Sequence, residues 1–196
     1  MNLNHLSFPD FGWGYMPPTQ QVFDAFEFVQ SVYAPKSVLE IGFHIGHSTT
    51  YQLEIYKDAK IVGVSPDNEV IGRPGDSIDP QVRRDMVGIL NEKYINRFTW
   101  IKGKTKESHV AEALDQYHFD FALVDGNHSE DAATVDMIMM YDLNIPNLLI
   151  DNWDQRPVKE AVDKHGMYEL VKEFDYRQTF KGKTVTNQMA VLRMKR

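Results

Sequence analysis

The residues best placed to do chemistry stand where apolar runs stop. Asp125-Gly126 closes the run 119–124, and Asp151-Asn152 closes the run 147–150. His128 follows Asp125 by three residues, and Trp153 comes straight after Asn152. Nearer the N-terminus, the stretch VLEIGFHIGHSTT (38–50) carries an acid, Glu40, two glycines, Gly42 and Gly46, and the hydroxyl cluster that begins at Ser48. Ser65 and Asp67 end another apolar run, and Gly103-Lys104-Thr105 ends a further one.

Each pattern suits a particular chemistry. A glycine turn after a buried strand lets a nucleotide-like ligand approach the backbone, because no Cβ stands in the way. Two carboxylates at neighbouring strand ends repel unless one is protonated or a cation bridges them. With the Asn152 amide they form a hard oxygen set that suits Mg²⁺. The plainer reading is that Asp125 opens an Asp-Gly turn and Asp151 caps the next helix. An imidazole at His128 can take a proton from a hydroxyl, or it is a surface-loop histidine; both readings stand. His44 and His47 are expected to pack or face solvent, since no carboxylate or third His lies beside them to complete a metal set. Arg156 could meet an anion, though a solvated arginine is the plainer expectation.

These residues need a scaffold. Residues 20–33 keep helical spacing (Val22, Phe23, Phe26, Val29, Val32) behind a Thr19 N-cap. Short apolar runs at 37–41, 61–64, 98–101, 119–124 and 147–150 read as strands. Helices are expected between and after them, at 48–56, 81–94, 107–116, 131–143 and 158–164. That alternation predicts an α/β fold: a doubly wound, mostly parallel sheet with helices on both faces. Runs 169–174 and 188–194 have no helix between them, only a polar linker, Lys181-Gly182-Lys183. They predict an antiparallel edge hairpin and bring the sheet to seven strands. Ligands of such sheets bind outside the carboxyl ends of the strands, where the polar residues named above fall.

Composition narrows the function. The chain has 196 residues, a net charge of -7 and no cysteine. One domain, 1–196, is expected, with the aromatic, proline-closed segment 1–18 as an N-terminal lid. The acidic balance argues against a nucleic-acid partner. Disulfides and thiolate metal sites are excluded. No leader pattern or bilayer-length apolar run is visible, so the expectation is a cytoplasmic protein with no membrane partner.

The spacing Glu40-Ile41-Gly42-Phe43-His44-Ile45-Gly46, an acid, one residue, glycine, three residues, glycine, resembles the first motif of the class I S-adenosylmethionine-dependent methyltransferases. The strand order and terminal hairpin are similar too, over about residues 20–194. The resemblance implies that Glu40, Gly42, Phe43, His44, Gly46 and Ser48 surround the methionine part of S-adenosylmethionine. It implies that the second strand's end meets the ribose; here Ser65 stands at the usual acid position and Asp67 lies two residues on. Gly103, Lys104 and Thr105 would border the adenine, with Asp125 and Gly126 also at the cofactor. Asp125, Asp151 and Asn152 are similar to the metal ligands of the Mg²⁺-dependent O-methyltransferases of the catechol and sugar types, and His128 to their base. A small hydroxylated molecule is then the expected substrate, and direct displacement at the methyl carbon the expected mechanism. Trp153 would form a substrate wall, joined by Trp13 and Tyr15 from the lid; packing is the alternative for all three. An edge hairpin is a common dimer surface, so a homodimer is one expectation. Two rivals remain: a binding or scaffold protein that has lost catalysis, and a nicotinamide-dependent oxidoreductase. The second wants three close glycines and finds two.

Overall fold

Two rows of apolar side chains, one on each face of a central sheet, account for the architecture. In the computed structural model, which describes residues 16–67, 79–180 and 182–195, the strands are β1 (Ser37–Ile41), β2 (Lys60–Ser65), β3 (Phe98–Lys102), β4 (Phe121–Val124), β5 (Asn147–Ile150), β6 (Tyr168–Phe180) and β7 (Lys183–Met194). The helices are α1 (Gln20–Tyr33), α2 (His47–Ile55), α3 (Pro80–Lys93), α4 (Ser108–Leu114), α5 (Glu130–Asp142) and α6 (Arg156–His165). Because successive strand residues point to opposite faces, Val38, Ile61, Phe121 and Leu149 pack with α1, α2 and α3. Leu39, Val62, Ala122 and Leu148 pack with α4, α5 and α6. Burial on both faces explains why the parallel strands read as unbroken apolar runs.

The sheet has seven strands in the order β3-β2-β1-β4-β5-β7-β6. The first five are parallel; β7 runs antiparallel to β5, and β6 antiparallel to β7. The doubly wound expectation therefore holds, terminal hairpin included. The chain leaves β1 outward to β2 and β3, then returns to β4 on the other side. That reversal opens a crevice above the ends of β1 and β4.

Helix α1 starts where its cap predicts, with the Thr19 side chain accepting from the Val22 amide. Val32, expected on its buried face, is instead exposed, one residue from the helix end. The hairpin is longer than its apolar runs suggest. Residues 175–180 pair with 183–188 through polar cross-strand links such as Thr179–Thr184 at 2.8 Å and Gln188 to Asp175 at 2.7 Å. Gly182 is a turn residue, and Lys183 already belongs to β7; Lys181 lies outside the described residues. No helix among the described residues is long and apolar enough to cross a membrane.

Candidate active site

The glycine turn is shaped by its neighbours before any ligand arrives. Gly42 has φ 95°, and a Cβ there would lie 1.8 Å from the Asp125 carbonyl oxygen. The amide of Asp125 in turn donates to the Ile41 carbonyl at 2.9 Å. Glycine is therefore needed to let the ends of β1 and β4 close on each other. Gly46, at φ 82°, is hemmed in by the Phe43 ring and Leu90. Phe43 is fully buried and stacks on Phe98.

Glu40, expected to reach a turn amide or a ligand ammonium, accepts the hydroxyls of Ser48 and Thr49 in the first turn of α2. It is fully buried, and burial pushes its carboxyl up to about 7. The motif acid and Ser48 thus tie β1 to the helix that follows. His44 is held neutral, at about 3, by burial and then by the nearby Arg83; burial lowers His47 to about 4. Arg83, itself buried on α3, donates from Nε to the His44 carbonyl at 2.6 Å and from Nη1 to the Pro66 carbonyl. It clamps the glycine turn to the end of β2. No local pattern marks this role, since an arginine on an amphipathic helix reads as solvated.

In front of the turn lies a cavity of about 290 Å³. Gly42, Ser65, Gly103, Lys104, Thr105 and Gly126, all expected at a cofactor, form part of its wall. Glu40, Phe43, His44, Gly46, Ser48, Asp67 and Asp125, also expected there, are not among the residues that line it. Asp67 is engaged by Lys102 at 2.6 Å and Arg84 at 3.2 Å. Ser65 accepts the Trp100 indole N–H at 3.2 Å. The end of β2 thus meets the cavity with a hydroxyl, while the nearest carboxylate is paired with cations. The strand-end glycines and Thr105 suit an adenosine-sized ligand lying across β1, β2 and β4.

The two acids are neighbours. Val124 pairs with Ile150 in register, and the Asp151 amide donates to the Val124 carbonyl at 3.0 Å. Asp151 is buried, and the Tyr176 hydroxyl, reaching in from β6, lies 2.9 and 3.0 Å from its two oxygens. Burial first, and then the charge of Asp125, holds the Asp151 carboxyl well above the usual range. Asp151 does not cap α6, whose N-cap is Gln155. Asn152 occupies the left-handed region at φ 53°, which suits asparagine. His128 Nε2 lies 3.5 Å from Asp125 Oδ1, a polar contact longer than a good hydrogen bond. Burial lowers the His128 pKa, so its ring is a neutral acceptor near pH 7. A space of about 10 Å³, roughly one water, lies against His128, Asp136 and Asp151.

Among the described residues no group of three His, Cys, Asp or Glu side chains is arranged to hold a metal. Any cation here would need Asn152 beside the two acids. The acid pair fits that demand in charge, because the charge of Asp125 adds to burial in holding the Asp151 carboxyl above its usual range.

Trp153 corrects an expectation. It is 3 % exposed, its indole N–H donates to Glu173 at 2.6 Å, and Lys159 lies over its ring at 5.0 Å. It packs into the core under α6 rather than forming an open wall, because its backbone amide is drawn onto β7 through Gln188 at 2.9 Å. Trp13 and Tyr15 lie outside the described residues. Asp136 and Tyr176 were not singled out. Asp136 had a signal: it sits on the buried stripe Ala133, Asp136, Met137, Met140, where an acid is out of place.

A family model for a methyltransferase domain (Methyltransf_24) matches residues 39–166, from β1 through α6. No curated protein matches in sequence. Solved structures match in fold. An O-methyltransferase from Bacillus cereus, in complex with SAH, is 14% identical with TM-score 0.63, covering 94% of this chain and 85% of that one. An O-methyltransferase from Streptomyces achromogenes, involved in tomaymycin synthesis and solved with SAM, is 13% identical with TM-score 0.61, covering 91% and 82%. An SAH-bound methyltransferase from Podospora anserina is 17% identical with TM-score 0.59, covering 92% and 80%. The family match spans the strands that carry the glycine turn and both acids, and on that ground the chain belongs to the methyltransferase-domain family.

Proposed function

We propose that this chain transfers a methyl group from S-adenosylmethionine to a hydroxyl of a small molecule, with a divalent cation such as Mg²⁺ held by Asp125, Asp151 and Asn152. The observation that carries the reading is the frustrated acid pair, Asp125 beside a buried Asp151, at the crevice next to the glycine-walled cavity. Family membership supports methyl transfer. The SAM and SAH in similarly folded structures support the donor.

In this reading the donor supplies an activated methyl on a sulfonium, and the cation lowers the pKa of the acceptor hydroxyl. The chain's own part is placement and proton management. Gly42, Gly103 and Gly126 form part of the wall against which the donor would lie. Asp125 and Asp151, with Asn152, would hold the cation, and its positive charge would offset the repulsion between the two acids. His128, neutral and beside Asp125, takes the acceptor's proton on Nε2. The acceptor oxygen then gains the methyl, and the electron pair of the broken C–S bond stays on sulfur. Alignment supplies most of the rate.

One observation favours a metal-free variant: the Tyr176 hydroxyl already lies against both Asp151 oxygens, as it would if that acid stayed protonated and structural. Methyl transfer from radiolabelled S-adenosylmethionine to a panel of hydroxylated small molecules, with and without EDTA, separates the two. Loss of turnover with EDTA and its return with Mg²⁺ is the expected result. Turnover indifferent to EDTA leaves only the metal-free variant. No turnover with any hydroxyl acceptor, in a chain that binds the donor, contradicts O-methylation.

A further inference from the structure

The mechanism leaves one buried acid of the cavity unused. Asp136, on α5, is 3 % exposed, yet it forms part of the wall of the donor cavity. Its placement is fixed on two sides. The Thr105 hydroxyl, from the loop after β3, donates to Oδ1 at 2.6 Å. Oδ2 fills the space that a side chain on Gly126 would occupy, 2.7 Å from where that Cβ would be. Gly126 is thus a glycine because a carboxylate sits on it. The other charged residues of the wall, Lys104, Lys106 and Asp131, are exposed, so water and salt screen them. Asp136 is the shielded charge among the described residues of that wall.

We propose that Asp136 sets the cavity's preference for the charged methyl donor over its neutral product. The inference rests on the S-adenosylmethionine reading above. The donor carries a positive sulfonium; once the methyl has left, the product S-adenosylhomocysteine carries a neutral thioether and is otherwise the same molecule. A shielded negative charge on the wall attracts the first more than the second. Burial raises the Asp136 carboxyl to about 6, which leaves it ionised at pH 8. The role is one of specificity and product release, not of bond making.

The test uses the full chain at pH 8 and two probes, S-adenosylmethionine and S-adenosylhomocysteine, titrated calorimetrically into wild type, Asp136→Asn and Asp136→Ser. The second variant keeps a hydroxyl for Thr105 if the amide disturbs folding. The expected result is an S-adenosylmethionine affinity about tenfold weaker in the variants, with S-adenosylhomocysteine changed less than about twofold. Equal weakening of both ligands shows a merely structural residue and overturns the proposal, as does no change in either. A wild type that binds neither ligand refutes the donor reading itself, which separates that failure from the failure of this inference.

Discussion

At the scale of single residues, the motif glycines and acid serve the scaffold as much as the ligand. Gly42→Ala puts a methyl 1.8 Å from the Asp125 carbonyl oxygen, in a backbone conformation that alanine avoids. We expect a loss of more than about 3 kcal/mol in urea denaturation, because backbone rather than a side chain must move. A loss below about 1 kcal/mol contradicts the close approach of β1 and β4. Glu40 gives a pH signature. Its folded pKa is about 7 against an ordinary value of 4.5. The folded state therefore holds a proton that the unfolded chain releases, and this contribution is full below about pH 4.5. It is lost as pH rises toward 7, by about 3 kcal/mol. Stability measured across that window should fall in the wild type, and Glu40→Gln should flatten that part of the fall. An unchanged slope in the variant would mean that Glu40 is not the group responsible.

At the scale of elements, the terminal hairpin is part of the site. Tyr176 on β6 lies against the Asp151 carboxyl at the end of β5, two strands away in the sheet. Tyr176→Phe leaves a buried acid without its neighbour's hydroxyl, and a destabilisation of about 1–3 kcal/mol is expected from chemical unfolding at neutral pH. A change within about 0.5 kcal/mol would show that the contact carries no weight. This link explains where the sequence was legible and where it was not. Strands β1, β2, β4 and β5 were readable because both their faces are buried, and an apolar run is a local signal; β3, at the sheet edge and largely unburied, was readable from the apolar residues of its short run. The outer half of the hairpin was not, because residues 175–180 and 183–188 pair mostly through polar side chains, which leave no apolar pattern even though Tyr176 joins the core. Tyr176 reaches Asp151 only through that pairing. Arg83 was hidden for a related reason: its burial under the glycine turn depends on how α3 packs. Asp136, by contrast, was visible in principle, as an acid on an apolar helical stripe.

At the scale of the whole molecule, the strand order puts all the polar strand ends on one side. The crevice between β1 and β4 gathers the glycine turn, the cavity and the acid pair, although Gly42 and Asp151 lie more than a hundred residues apart in the chain. The glycine spacing and the acids at 125 and 151 were enough to point to the family; the side chains that fix them in place required the fold. A donor seated in the cavity should also stabilise the chain by linkage. At a hundred times its dissociation constant it adds about 2.7 kcal/mol, visible as a rise in Tm that the same concentration of NAD does not produce.

The most direct measurement is a calorimetric titration of the intact chain with S-adenosylmethionine, with NAD as the control. The account predicts saturable one-site binding of S-adenosylmethionine, its loss in Gly42→Ala, and no heat of binding with NAD. Absence of S-adenosylmethionine binding to a folded wild type, or binding of NAD in its place, would contradict the assignment of the glycine-walled cavity to a methyl donor.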